Sequence, residues 1–323
     1  MRVLVTGASG FAGTWLVGAC VEAGDEVTGV SRSGAAGDDD GVRSVALDLR
    51  EAAAVERLLG EVEPEVVFHL AALSHVGRSW EDPTSTLSDN LLSAVNLLEA
   101  LRRQAPKARV VWASSCEVYG PAAELPITEA AALAPANPYA VSKAAADMLA
   151  GVYADAHGLH IVRARPFNHA GPGQRPMFIV SSLTRQIAEA RLAGAPRARV
   201  ITGNPQTRRD FTDVRDVVRA YRLLAAPGVA PGPYNISSGR SVSAAEQIAI
   251  LAELVAPLEV EHVVDPARVR AHEVMDNRGS PERLETTTGW RAGIPLRQTL
   301  ADTLAWWEAQ LGRADTASRR GQQ

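Results

Sequence analysis

The run Val3-Leu4-Val5-Thr6-Gly7-Ala8-Ser9-Gly10-Phe11-Ala12-Gly13 decides how the rest of the chain is read. Three apolar residues give way to glycines at 7, 10 and 13, and Leu16, Val17, Cys20 and Val21 then follow at helical spacing. Glycines there permit a tight turn and a close approach of backbone to a pyrophosphate. The helix that opens after them offers its free N–H groups and positive dipole end to that anion. A bare glycine pattern also describes structural turns. This one follows a strand and starts a helix, so it predicts dinucleotide binding by Gly7, Gly10, Phe11, Ala12 and Gly13.

Working outward, short apolar runs at 3–5, 26–30, 44–47, 66–70, 110–113 and 161–163 alternate with amphipathic stretches such as 91–101. That rhythm predicts an α/β fold: a Rossmann-type doubly wound parallel sheet. After Pro166 it breaks, and Gly171-Pro172-Gly173 marks a loop. A smaller C-terminal α/β substrate domain is expected there, with helices over 181–193, 214–225, 244–255 and 296–311 and strands at 199–201 and 234–236. The expected division is 1–165 for the dinucleotide domain, with 212–237 returning to it. Residues 166–211 and 238–312 form the substrate domain, and 313–323 a disordered tail.

Composition excludes several classes. The 323 residues are 46% hydrophobic and 22% charged, and a net charge of -4 gives no general attraction to nucleic acid or acidic membranes. No apolar run approaches the ~18 residues of a membrane span. The N-terminus enters a strand at once, without signal-peptide regions, so a cytoplasmic protein is expected. Two separated cysteines, Cys20 and Cys116, supply neither a disulfide framework nor a metal site.

The second strand ends in Val30-Ser31-Arg32-Ser33, where an acid would bind the 2′-hydroxyl of NAD. Ser31 and Arg32 suit a 2′-phosphate instead, because arginine pairs with it bidentately. NADP(H) is therefore favoured, with NAD(H) as the alternative and a solvated Arg32 as the bland one. Asp48 is placed to meet the adenine edge, with Leu49 beside it, or else to N-cap a helix over 50–59.

The fifth strand ends in Ser114-Ser115-Cys116-Glu117-Val118-Tyr119-Gly120, and Tyr139-Ala140-Val141-Ser142-Lys143 follows. A phenol and an ammonium four residues apart share one helix face. Side chains at the carboxyl ends of strands are placed for chemistry. Ser115 can hold a carbonyl oxygen while Tyr139 exchanges a proton with it. Lys143 is expected to anchor the cofactor ribose and lower the phenol's pKa. Singly, Ser115 reads as a strand-end cap.

The glycine loop, His69-Leu70-Ala71-Ala72, the Ser115 region and Tyr139-x-x-x-Lys143 together resemble the extended short-chain dehydrogenase/reductase superfamily, in its sugar-nucleotide branch. The resemblance covers residues 1 to about 312 and adds Leu70, Ala71 and Ala72 to the cofactor site. Arg165-Pro166-Phe167-Asn168 through Gln174, and Arg208-Arg209-Asp210-Phe211-Thr212-Asp213, are similar to the GDP-6-deoxy-4-keto-lyxo-hexose reductases and their neighbours the GDP-mannose 4,6-dehydratases. This implies reduction of the 4-keto group of a nucleotide-diphosphate hexose, with Asn168, Arg209 and Arg270 contacting the nucleotide diphosphate. A 4,6-dehydratase or an epimerase is the alternative, and a non-catalytic NADP sensor a further one.

A dehydratase needs a base beyond the Ser/Tyr/Lys group, and Glu117 is the candidate. Many dehydratases of the superfamily carry Thr-Asp-Glu at positions matching 115–117, where this chain has Ser115-Cys116-Glu117. Cys116 reads as packing or as a reactive group. Residues 87–101 and 140–153 carry broad apolar stripes. Relatives of the resembling family pair through two such helices, which implies a homodimer joined by a four-helix bundle; the alternative is two helices covering the sheet.

Overall fold

A computed structural model describes residues 1–34, 41–269 and 274–320, without the side chains of 314–320. Arg270 and most of the aspartate-bearing loop at 34–41 lie outside the described residues. The elements begin with β1 (Arg2–Thr6), α1 (Phe11–Glu22), β2 (Glu26–Ser31), β3 (Val42–Ala46), α2 (Ala52–Val62) and β4 (Val66–His69). There follow α3 (Val76–Glu81), α4 (Pro83–Gln104), β5 (Arg109–Ala113), α5 (Pro138–His157), β6 (His160–Pro166) and β7 (Asn168–Ala170). Next are α6 (Ile179–Leu192), β8 (Arg197–Thr202), β9 (Arg208–Asp213), α7 (Val214–Leu224), β10 (Gly232–Ile236) and β11 (Ser241–Ser243). The chain closes with α8 (Ala244–Val255), β12 (Glu259–Val264), β13 (Asp276–Asn277), α9 (Glu282–Thr288) and α10 (Leu296–Arg320).

Seven strands make one parallel sheet in the order β10-β6-β5-β4-β1-β2-β3. The order reverses between β1 and β4, which is the switch point where open α/β sheets bind ligands. β1 and β4 are buried throughout their apolar residues, as strands covered on both faces must be. Leu4, Val67, Val110 and Ile161 pack with Leu59, Leu97, Leu101 and Ala150 of α2, α4 and α5 to form one core layer.

The chain divides into two compact units: 1–167 with 217–236 and 279–291, and 168–216 with 237–278 and 292–323. This differs from the expected division, most of all in the return of 279–291 to the first unit. A Cβ on Gly279 would stand 2.3 Å from the Phe167 ring, and Ser280 N donates to Ile127 O at 2.8 Å. No side chain other than glycine's allows that approach.

In the second unit β9 sits between β11 and β13 and also pairs with β7, while β12 pairs with β8. Val180, Leu183, Ile187, Leu251, Leu300 and Leu304 fill its core. Where a disordered tail was expected from 313, α10 continues to Arg320, and 321–323 lie outside the described residues. After Gly312 no glycine or proline interrupts the chain until Gly321, and alanines favour helix.

Candidate active site

The glycine loop is a cradle that side chains would fill. Gly7 adopts φ +75, and a Cβ there would lie 2.8 Å from Ala71 N. A Cβ on Gly13 would meet Gly7 O at 2.1 Å. Gly7 N and Ala8 N donate to Val30 O at 2.8 and 3.1 Å, which ties the loop to the end of β2. Gly10 caps α1 with no side-chain bond, and Phe11, Ala12 and Gly13 open the helix. These residues fit the pyrophosphate of a nicotinamide dinucleotide. Leu70 N donates to Thr6 O at 3.1 Å and Ala71 N to Thr6 Oγ1 at 3.4 Å, with Ala72 next in the chain.

At the end of β2, Ser31 and Ser33 hydroxyls stand 3.3 Å apart, and Arg32 is largely exposed with Nη1 at 3.5 Å from Asp89 Oδ2. Asp48 is not a helix N-cap. Glu51 occupies the cap position of α2, and Asp48 instead accepts from Arg50 N, Nε and Nη2. Those bonds hold its carboxyl below the usual range. Leu49 is buried, and its carbonyl accepts from Asn96 Nδ2 at 2.9 Å.

Ser115, Tyr139 and Lys143 come together where β5 ends against α5. Ser115 is extended and caps the 3-10 turn Cys116–Tyr119, accepting from Glu117 N at 3.2 Å. Asn137 caps α5 through Ala140 N at 2.8 Å and gives Nδ2 to Glu117 Oε2 at 3.1 Å. The same amide thus positions both the tyrosine helix and the carboxylate of the serine turn. Asn90 on α4 donates to Ser142 Oγ at 2.8 Å, and Ser142 donates to Tyr139 O at 2.7 Å, which braces the first turn of α5. Sequence reasoning missed Asn90 and Asn137. For Asn137 the signal was present, an Asn-Pro pair opening a helix.

The electrostatics differ from expectation in one respect. Burial pushes the Tyr139 phenol well above its ordinary value; a hydrogen bond with Ser115 works against this, while Glu117 and Cys116 add to it. Burial outweighs the lowering expected from Lys143. Its Nζ donates to Ala113 O at the end of β5, and desolvation outweighs any attraction at this depth. Lys143 is itself brought down to about 8 by burial, against the opposing pull of Asp147. His69 accepts or donates at 2.8 Å with Thr6 Oγ1, and burial, then Lys143, brings it down to about 3, so it is neutral.

Cys116 is 4% exposed, packed among Val118, Tyr119, Ile127, Ala144 and Phe167. In the second unit, Asn168 opens β7 and pairs with Phe211 of β9, two residues beyond Arg209. Arg209 Nη1 donates to the carbonyls of Arg208 and Val274, both at 2.8 Å.

The parallel sheet, glycine cradle and serine, tyrosine and lysine at one strand end define a short-chain dehydrogenase/reductase. More narrowly, the chain belongs to the GDP-mannose 4,6 dehydratase family, whose profile matches residues 4–303. It is 42% identical over 258 residues to a GDP-6-deoxy-D-mannose reductase of Pseudomonas aeruginosa, covering 78% of this chain and 84% of the relative. A structure of RMD from Pseudomonas aeruginosa complexed with NADPH superimposes with TM-score 0.83 at 36% identity, covering 96% of this chain and 100% of that one. TunA, an NAD-dependent NDP-hexosamine 5,6-dehydratase involved in tunicamycin biosynthesis, superimposes with TM-score 0.82 at 31% identity, over 95% and 97% of the two chains. The chain is thus an NAD(P)-dependent enzyme of the nucleotide-sugar type. Among the described residues no helix is long and apolar enough to cross a membrane.

Proposed function

We propose that this protein reduces the 4-keto group of a GDP-linked 6-deoxy-4-keto-hexose with NADPH. The observation that carries the reading is Tyr139, buried beside the Ser115 hydroxyl, where burial pushes its phenol toward the neutral form. Reduction of a ketone needs an acid, and a buried neutral phenol is one. The likeness to a GDP-6-deoxy-D-mannose reductase supports the substrate class.

Bound NADPH supplies the hydride. The glycine loop and Lys143 would hold it, with Ser31 and Arg32 toward the 2′-phosphate. Ser115 orients the carbonyl oxygen, and Tyr139 delivers a proton to the same atom. Asn168 and Arg209 serve the diphosphate. Cys116 packs behind the turn. A 4,6-dehydratase is the second reading, supported by the family profile, with Glu117 at the serine turn as its candidate base. NADPH with GDP-4-keto-6-deoxy-mannose separates the two. Loss of nicotinamide absorbance is expected, and its failure with cofactor bound sinks the reductase. GDP-mannose alone, converted without net cofactor use, would establish the dehydratase.

The alkaline limb of the pH profile follows from Lys143, whose pKa of about 8 leaves it charged below that pH and neutral above. Reduction is therefore expected to weaken as pH rises through about 8. Lys143→Arg, which keeps its charge, should lose the limb. A kcat/KM profile that stays level for about one unit either side of that pKa would contradict this role for the lysine.

The reading extends to a cytoplasmic homodimer. Leu92 and Val95 of α4 and Val141, Met148 and Val152 of α5 are 38–58% exposed, an apolar face on two neighbouring helices. A second copy covering that face would complete a four-helix bundle. Sedimentation giving only single-chain particles would exclude it.

A further inference from the structure

Asp89 is a carboxylate that no step above uses, and it faces the arginines at the adenosine end of the sheet. It lies on α4, and its side chain is 16% exposed. Arg50 Nη1 reaches Asp89 Oδ1 at 2.9 Å, and Arg32 Nη1 stands 3.5 Å from Asp89 Oδ2. Arg50 is also held on its other edge by Asp48, with Nη2 to Oδ2 at 2.6 Å. Three elements therefore converge: the end of β2 with Arg32, the turn after β3 with Asp48 and Arg50, and the second turn of α4 with Asp89. Two guanidinium groups face two carboxylates, and the four charges cancel.

A 2′-phosphate carries between one and two negative charges near neutral pH. Entering this group it must displace Asp89 from Arg32 and Arg50 and tolerate that carboxylate nearby. A 2′-hydroxyl brings no charge and disturbs neither ion pair. We propose that Asp89 sets the cofactor preference of this enzyme, acting as an internal anion that shares Arg32 and Arg50 and holds down their affinity for a 2′-phosphate. Arg50 is then a second phosphate-binding arginine, released from Asp89 when the phosphate arrives. The inference rests on the reading that NADPH binds with its 2′-phosphate toward Arg32.

Dissociation constants for NADPH and NADH, measured by titration with the substrate-free protein, test it. Asp89→Asn keeps the shape and removes the charge. Two partly exposed pairs are released and one repulsion is lost, so NADPH should bind about tenfold tighter relative to NADH. Asp89→Ser should do the same. Arg50→Ala should weaken NADPH by a similar factor against NADH, with a shallower salt dependence. If both Asp89 variants leave the NADPH-to-NADH ratio of the parent, or weaken the two cofactors equally, Asp89 is only structural and the proposal fails. If NADPH binds neither the parent nor the Asp89 variants while NADH binds both, the phosphate reading itself fails. The two failures are told apart by whether NADPH binds at all.

Discussion

Tyr139→Phe should lower kcat for reduction of the 4-keto sugar by about a thousandfold, roughly 4 kcal/mol of transition-state stabilisation, and leave NADPH affinity near that of the parent. The ring is 8% exposed and packs inside the first unit, so phenylalanine keeps the packing and removes only the hydroxyl. That hydroxyl is the group the chemistry requires. As hydride reaches C4 the carbonyl oxygen becomes an alkoxide, more basic than any phenolate. A neutral phenol gives its proton readily to such an atom, and the burial of Tyr139 favours the neutral form. Ser115 remains to orient the oxygen, so the loss stops short of the uncatalysed rate. The glycine cradle is formed by backbone from β1 to α1 and does not involve the phenol. Full activity in the variant, with binding unchanged, would remove Tyr139 from the reaction. A non-catalytic sensor would respond to the substitution in neither measurement.

Much of this arrangement was legible because its parts are local. The β1 loop, the serine turn and the Tyr139–Lys143 pair are each written in a short consecutive stretch, and the strand and helix periods place them on strand ends and helix faces. β9 was missed because Arg208, Arg209 and Asp210 mask its alternation. It is a strand because its buried carboxylate is satisfied from outside: Asp210 accepts from Ser238 N, Ser238 Oγ and Gly239 N at 2.8, 2.6 and 3.0 Å. Partners 28 and 29 residues away cannot be inferred from the strand itself. The same holds for Gly279 against Phe167, which draws 279–291 into the first unit. Lys143 shows the converse limit. Spacing put the ammonium on the tyrosine's face, but its effect on the phenol depends on depth, and spacing carries no information about depth. Asp147 had a readable signal, a carboxylate one turn beyond Lys143 in a helix of alanines. Its partner, Arg165, was read only as the opening of a motif for the nucleotide diphosphate.

That pair supports the second large effect. Arg165→Met should destabilise the protein by about 3–5 kcal/mol, seen as a lower urea midpoint, because it leaves a buried carboxylate without its main partner. Asp147 is fully buried, and Arg165 grips it with Nε to Oδ2 at 2.9 Å and Nη2 to Oδ1 at 2.8 Å. The guanidinium's third arm reaches Tyr119 OH at 3.0 Å, which donates onward to Asn235 Oδ1 at 2.7 Å. Four elements are joined this way: α5, β6, the serine turn and β10. Burial raises the Asp147 carboxyl, but the bonds to Arg165 more than offset it, and the net is a lowered value. Arg163 adds a weaker contact at 3.1 Å from a partly exposed position, so it moderates the loss without replacing Arg165. Asp147→Leu alone should cost as much, since it strands the arginine. The double substitution Asp147→Leu with Arg165→Met should recover most of the loss, because two apolar side chains need no solvation and the ion pair's own desolvation cost disappears with it. A double variant no more stable than either single one would mean that Tyr119 and Asn235, and not the ion pair, hold these elements together. Activity gives a further reading. α5 carries both Tyr139 and Lys143, so a double variant that is stable yet slow would show that the pair sets the position of the helix against β5 as well as its stability.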